Sequence, residues 1–183
     1  LNLPNSVVIA GKGPSLDNVD WGNLPAFRIG VNEACLVVPG CMVAIALDNQ
    51  VWDVITQHAN KSIQFWSSPS VKVKWPNVWN WECSVHTQSA DETTACAVRI
   101  CGYFGVKEIF FVGCDAVDYT DKEHQREGVP YTNKITQLRR NGRIHYNYKI
   151  IVRRILQAVK DTKIEAHWLH REVQHVSSSS RSS

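Results

Sequence analysis

No apolar run in this chain approaches the ~20 residues that a bilayer-spanning helix needs, so no transmembrane segment is expected. The N-terminus lacks a basic stretch followed by an apolar one; no signal peptide is expected, and the expected location is cytoplasmic. There is no CxxC pair among the six cysteines, Cys35, Cys41, Cys83, Cys96, Cys101 and Cys114, which argues against a thiolate zinc site. Most lie inside apolar runs such as "CLVV" and "FFVGC" and read as buried reduced thiols rather than disulfides. Neither sign of charge dominates. The net charge is +3, and the basic cluster "RRNGR" (139–143) with Arg153 and Arg154 is too small for a nucleic-acid groove, so no nucleic-acid partner is expected. Both GxxxxGK[ST] and GxGxxG are missing, and no repeat of ~20–50 residues is visible.

What is present suits one globular domain. With 183 residues, 44% hydrophobic and 20% charged, the chain can bury a real core. We expect a single domain over 1–176 and a disordered serine-rich tail over 177–183. "SVVIAG" (6–11) is β-branched, ends at glycine and reads as a buried strand. Ser15, behind Pro14, is placed to cap a short helix over 15–20. "AFRIGVN" (26–32) and "CMVAIALD" (41–48) read as the second and third strands. "NQVWDVITQHAN" (49–60) puts Val51, Val54, Ile55 and His58 on one helical face, and "SIQFW" (62–66) is a fourth strand.

Residues 67–86 hold prolines and tryptophans with little periodicity and read as irregular, with one short strand at most. Trp66, Trp75, Trp79 and Trp81 either line a ligand surface or close the core under a loop. "SADETTACAVRICGYFG" (89–105) has Ala95, Val98, Ile100, Cys101 and Phe104 spaced for a buried helix ending at Gly102 or Gly105. "KEIFFVGCD" (107–115) is counted as the fifth strand, and residues 116–142 as loop. "IHYNYKIIVRRILQAVKD" (144–161) is a helix with Ile150, Ile151, Ile155, Leu156 and Val159 facing inward, and "KIEAHWL" (163–169) the last strand. Continuously apolar strands alternating with helices predict an α/β fold: a doubly wound, mostly parallel, Rossmann-like sheet. Such sheets bind ligands beyond the carboxyl ends of their strands.

There the polar residues gather: Gly11-Lys12-Gly13, Asn32, Asp48-Asn49, and Asp115 with Asp118-Tyr119. The glycines of "GKGPSL" and a helix start with Ser15 suit either a phosphate or a plain tight turn. Asn32 either turns the chain or touches ligand. Asp48 and Asp115 either cap the following helix or face the crevice. Thr93-Thr94 are helix caps, or they meet an anion or sugar at that helix's positive end. His124 sits in a polar loop, and "HWLHREVQH" (167–175) has metal-compatible spacing on a strand that runs toward the terminus, so no metal site is assigned. His145 opens the last long helix, whose positive end favours the neutral imidazole that a general base requires; a structural histidine fits equally.

"IAGKGPSL", "RIGVNEA", "TTACAVRICGYFGVKEIFFVGCDAVDY" and "IHYNYKIIVRRILQAV", in this order, resemble bacterial sialyltransferases of the Campylobacter type. "FVGCDAVDYTDKEHQREG" is similar also to a sister family of motility-associated flagellin glycosylation proteins and the archaeal 6-hydroxymethylpterin diphosphokinase. The sialyltransferase resemblance implies a transferase whose substrate is a CMP-sugar donor, with no bound cofactor and with a glycan or small hydroxyl compound as acceptor. Gly11, Lys12, Gly13, Ser15, Asn32, Asp48, Asn49, Thr93, Thr94 and Asp115 would hold the nucleotide and donor. Tyr119 and Tyr131 would bind the leaving phosphate, and His145 would act as general base. Lys12 stands where the sialyltransferase corner carries asparagine, and Asp48 where those enzymes tend to have asparagine. The sister family implies instead an Mg²⁺-dependent pyrophosphokinase, with Asp48 and Asp115 on the ion. A non-catalytic nucleotide-binding module and a homo-oligomer are also compatible with the sequence.

Overall fold

A computed structural model of the chain describes residues 2–68, 73–81, 92–114 and 148–169. Seven short apolar segments pair into one sheet: β1 (Ser6–Ala10), β2 (Arg28–Val31), β3 (Val43–Ala46), β4 (Gln64–Ser67), β5 (Val78–Asn80), β6 (Glu108–Val112) and β7 (Glu165–Trp168). Their order is β5-β4-β3-β2-β1-β6-β7, and every pairing is parallel. From β1 the chain winds outward through β2 to β5. It then crosses back to place β6 on the other side of β1. The switch point of this doubly wound sheet is therefore the gap between the carboxyl ends of β1 and β6, where ligands bind such sheets.

The centre of the sheet is covered on both faces, which is why β1 and β3 are almost continuously apolar rather than alternating, whereas the edge strand β7 carries an exposed Glu165. One face presents Val7, Ile9, Ile29, Val31, Val43, Ile45, Ile109 and Phe111 to helices α2 (Thr93–Tyr103) and α3 (Tyr148–Thr162). The other packs Val8, Ala10 and Val112 on Leu16, Ala34 and Val38. Further along that face, Ala44, Ala46 and Phe65 meet Val51, Trp52 and Ile55 of α1 (Asn49–His58). In α2, seven of the eleven residues are buried, because the helix lies between the sheet and α3. Gly102 permits that approach: a Cβ there would lie 2.4 Å from Thr162 Cγ2. Arg99 Nη1 donates to Asp161 Oδ2 at 3.0 Å, tying the two helices at their rim. No helix among the described residues is long and apolar enough to cross a membrane.

Several local expectations are corrected. Ser15 is not a helix cap: Gly13 occupies that position before a 3₁₀ turn over Pro14–Asn18, and no side chain caps it. The buried stripe of α1 is Val51, Trp52 and Ile55; His58 is exposed because Trp52 fills the core instead. In α3, Ile155 is buried and Ile151 and Val159 pack against the core as expected, with Ala158 joining them, while Leu156 is 44% exposed. The strand over Glu108–Val112 is the sixth, because Val78–Asn80 also joins the sheet. The tryptophans close the core. Trp66, Trp75 and Trp81 are buried, Trp75 stacks on Phe65 with centroids 4.1 Å apart, and its Nε1 donates to Ile63 O at 2.8 Å.

Candidate active site at the sheet switch point

At the carboxyl ends of β1 and β6, two loops hold each other through glycines. Gly11 N donates to Val112 O at 2.8 Å and Gly13 N to Gly113 O at 2.7 Å, while Ser15 Oγ accepts from Gly113 N at 3.0 Å. The approach is so close that side chains are excluded on both sides. A Cβ on Gly11 would sit 2.4 Å from Gly113 O, and one on Gly113 would sit 2.5 Å from Gly11 O. Gly113 also has φ +61°, a conformation that L side chains rarely adopt. Cys114 Sγ donates to Ile9 O at 3.6 Å beneath this clasp. The glycines of the opening loop thus serve close loop-to-loop packing. Of the two readings of this loop, phosphate contact or tight turn, the Gly13 amide serves the turn: it is engaged by the Gly113 carbonyl.

Beside the clasp, Lys12 reaches the end of β2. Its Nζ lies 2.6 Å from Glu33 Oε2, and the Glu33 side chain is 0% exposed against 17% for Lys12. Gly30 makes this possible, since a Cβ there would collide with Cys35 Cα at 2.5 Å; its absence lets the 3₁₀ turn over Asn32–Leu36 fold back on β2. Asn32, at the hinge of that turn, has φ +55° and is half-buried. Left-handed backbone at a non-glycine residue is uncommon and concentrates at ligand sites. Burial, with Cys41 and Glu33 nearby, pushes the Cys35 thiol well above its usual range, so it is no nucleophile at neutral pH.

Asp48 and Asn49 follow β3 and are exposed. The Asp48 carbonyl accepts from Val51 N at 3.1 Å and so begins α1, but its carboxylate makes no capping hydrogen bond. Thr93 and Thr94 open α2, with Thr94 only 7% exposed. Glu92 caps this helix by accepting from Ala95 N at 2.7 Å, which places an acidic group at its positive end. Because α2 leaves the β5 end of the sheet and returns to the start of β6, its first turn lies on the strands' carboxyl side. That edge therefore assembles Gly11, Lys12, Gly13 and Ser15 with Gly113 and Glu33, and carries Asn32, Asp48, Asn49, Thr93 and Thr94 along it. Asp115, Tyr119, Tyr131 and His145 lie outside the described residues.

Glu33, Gly113 and Glu92 are the residues that the sequence reading missed. A single carboxylate in the otherwise uncharged "VNEACLVV" was the available signal for Glu33. Gly113, between a strand and "CD", was the signal for a second glycine loop.

No protein-family model matches the chain, and no curated protein matches it significantly. Solved structures do. The sialyltransferase CstII from Campylobacter jejuni in complex with the substrate analogue CMP-3FNeuAc is 15% identical, with a TM-score of 0.60 over 90% of this chain and 81% of that one. The same enzyme with cytidine-5'-monophosphate is 14% identical, with a TM-score of 0.55 over 90% of this chain and 79% of its own. A tyrosine-to-phenylalanine variant with CMP gives a TM-score of 0.58 at 15% identity, over 91% of this chain and 81% of its own. At this identity the agreement is one of architecture: the chain has the Rossmann-like α/β fold found in these sialyltransferases.

Proposed function

We propose that the chain is a glycosyltransferase that moves a sugar, of the sialic-acid-like nonulosonic class, from a CMP-activated donor to a hydroxyl acceptor. The reading is supported by one observation: polar residues follow the carboxyl ends of the strands around the β1/β6 switch point, in a fold shared with sialyltransferases solved with CMP. The clasped loops over Gly11–Ser15 and Gly113 form the floor under the nucleotide. Asn32 and Asp48 or Asn49 contact the donor, Thr93-Thr94 the sugar or phosphate, and Asp115 the cytidine ribose or base region. His145 takes the acceptor hydroxyl proton, the acceptor oxygen attacks the anomeric carbon, and the nucleoside phosphate departs. Hydroxyls of Tyr119 and Tyr131 stabilise the charge that builds on that phosphate. A positioned base contributes ~10²–10⁴-fold, so His145→Ala should lower turnover of CMP-sialic acid by that range; unchanged turnover removes His145 from this role.

A second reading has its own support. The Asp48 carboxylate is exposed and makes no capping bond, while the Gly11 and Gly13 amides are engaged by the β6 end. Such a carboxylate suits Mg²⁺, which prefers oxygen ligands, and a pyrophosphokinase would place the ion on Asp48 and Asp115. Thermal shifts with CMP, CTP and ATP, each with and without Mg²⁺, separate the two. A ligand at a hundred times its Kd adds ~2.7 kcal/mol. Stabilisation by CMP without metal supports the glycosyltransferase, stabilisation by ATP only with Mg²⁺ supports the kinase, and none at all favours a non-catalytic module.

A further inference from the structure

We infer that Glu33 is a positioning residue, a buried counter-charge that aims the Lys12 ammonium at the phosphate of the bound nucleotide. The inference rests on the nucleotide reading above and extends it to a residue not yet given a role there. A carboxylate that is 0% exposed is costly to bury and is tolerated only with a partner. Packing alone does not call for one here, because Ala34 and Cys35 beside it already supply apolar contacts to the sheet. What the carboxylate does is fix a cation. Lys12 sits between two glycines whose backbones are locked to the β6 end, so the root of its side chain is immobile. The 2.6 Å contact to Glu33 fixes the other end. A lysine otherwise carries about 2 kcal/mol of rotamer entropy that a ligand would have to freeze; here both ends are held before any ligand arrives.

Charge at the crevice makes the aim matter. Lys12 is the one lysine or arginine in the described segments that directly follow the strands, whereas Asp48 and Glu92 bring acidic groups to the same edge. The amides of Gly11 and Gly13, the other donors expected for an anion, are engaged elsewhere. Among the described residues, Lys12 is therefore the source of positive charge for a nucleotide phosphate at this edge, and Glu33 holds its ammonium in place.

The test compares CMP with cytidine, two ligands that differ only in the phosphate, by calorimetric titration of the full chain. The wild-type chain should prefer CMP. Glu33→Gln should reduce that preference by about tenfold or more, the worth of one charge-assisted hydrogen bond, while cytidine affinity stays within about threefold. The double variant Lys12→Met with Glu33→Gln removes both charges together. Neither member of the Lys12–Glu33 pair is then left facing the other's empty place, which guards against a folding defect, and the double variant should show the same reduction. A merely structural role would weaken both ligands alike, and that result overturns the inference. So does an intact or increased CMP preference in either variant, since it would mean that Glu33 only offsets the lysine charge. A wild-type chain that binds neither ligand overturns the nucleotide reading, and this inference with it.

Discussion

At the scale of single residues, the site depends on atoms that are missing. Gly11 and Gly113 face one another with no room for a methyl group, and both neighbours are backbone carbonyls that cannot swing aside. Gly11→Ala should therefore push the two loops apart, and overpacking of this kind costs about 1–3 kcal/mol. Chemical denaturation should show that loss, and a variant as stable as the wild type would mean that the clasp yields easily. The cysteines give a second expectation. Burial raises Cys41 from its ordinary 9.0 to about 11 and lifts Cys35 and Cys101 further. A thiol whose folded value is raised contributes stability that is complete below the unfolded value and is lost as pH climbs toward the folded one. Unfolding free energy should thus fall as pH rises from about 9 through about 11, where unfolded thiols ionise and folded ones do not. In native protein at about pH 8 these three thiols should resist iodoacetamide, and rapid labelling of Cys41 would contradict its burial. Sequence disclosed the glycines of the first loop but not their use, because "GKGPSL" looks alike whether its amides face a ligand or another loop.

At the scale of elements, the positions of strands and helices were readable, while their buried faces were less so. β1, β3 and β6 are nearly all apolar, and α2 carries its apolar residues at helical spacing, so their runs announced them. Most of the expected faces of α1 and α3 are the buried ones, and the departures, His58 and Leu156, arise because periodicity counts residues without knowing which neighbour is large. Trp52 of α1 wins its place by packing on Phe65 at 4.6 Å, and His58 is left outside. Leu156 of α3 is surplus to a stripe that Ile155 and Ala158 already fill. A contrast follows. Phe65→Ala removes the ring between Trp52 and Trp75 and should cost about 3–5 kcal/mol. Leu156→Ala, on an exposed surface, should change stability by about 0.5 kcal/mol or less. Urea midpoints of the two variants measure this directly, and equal losses would refute the assignment of the core.

At the scale of the whole molecule, the parallel doubly wound sheet was legible because alternating apolar strands and helices leave few topologies. Sheet order was not legible in itself, since nothing local in "SVVIAG" says that it lies in the middle. Nor could separate motifs reveal that Lys12 and Glu33 meet across two strands, as side-chain pairing depends on register.

The central place of β1 has a consequence for biosynthesis. One of its edges is taken by β2 within a few dozen residues, but the other waits for β6. Ser6 Oγ finds its Glu108 partner 102 residues later in the chain. A ribosome-bound or truncated product that stops short of β6 exposes an unpaired, apolar strand edge, the kind of template on which chains aggregate. A fragment ending at residue 107 should pellet where the full chain stays dispersed, and a monodisperse fragment would show that the outer strands stabilise one another without their far neighbour.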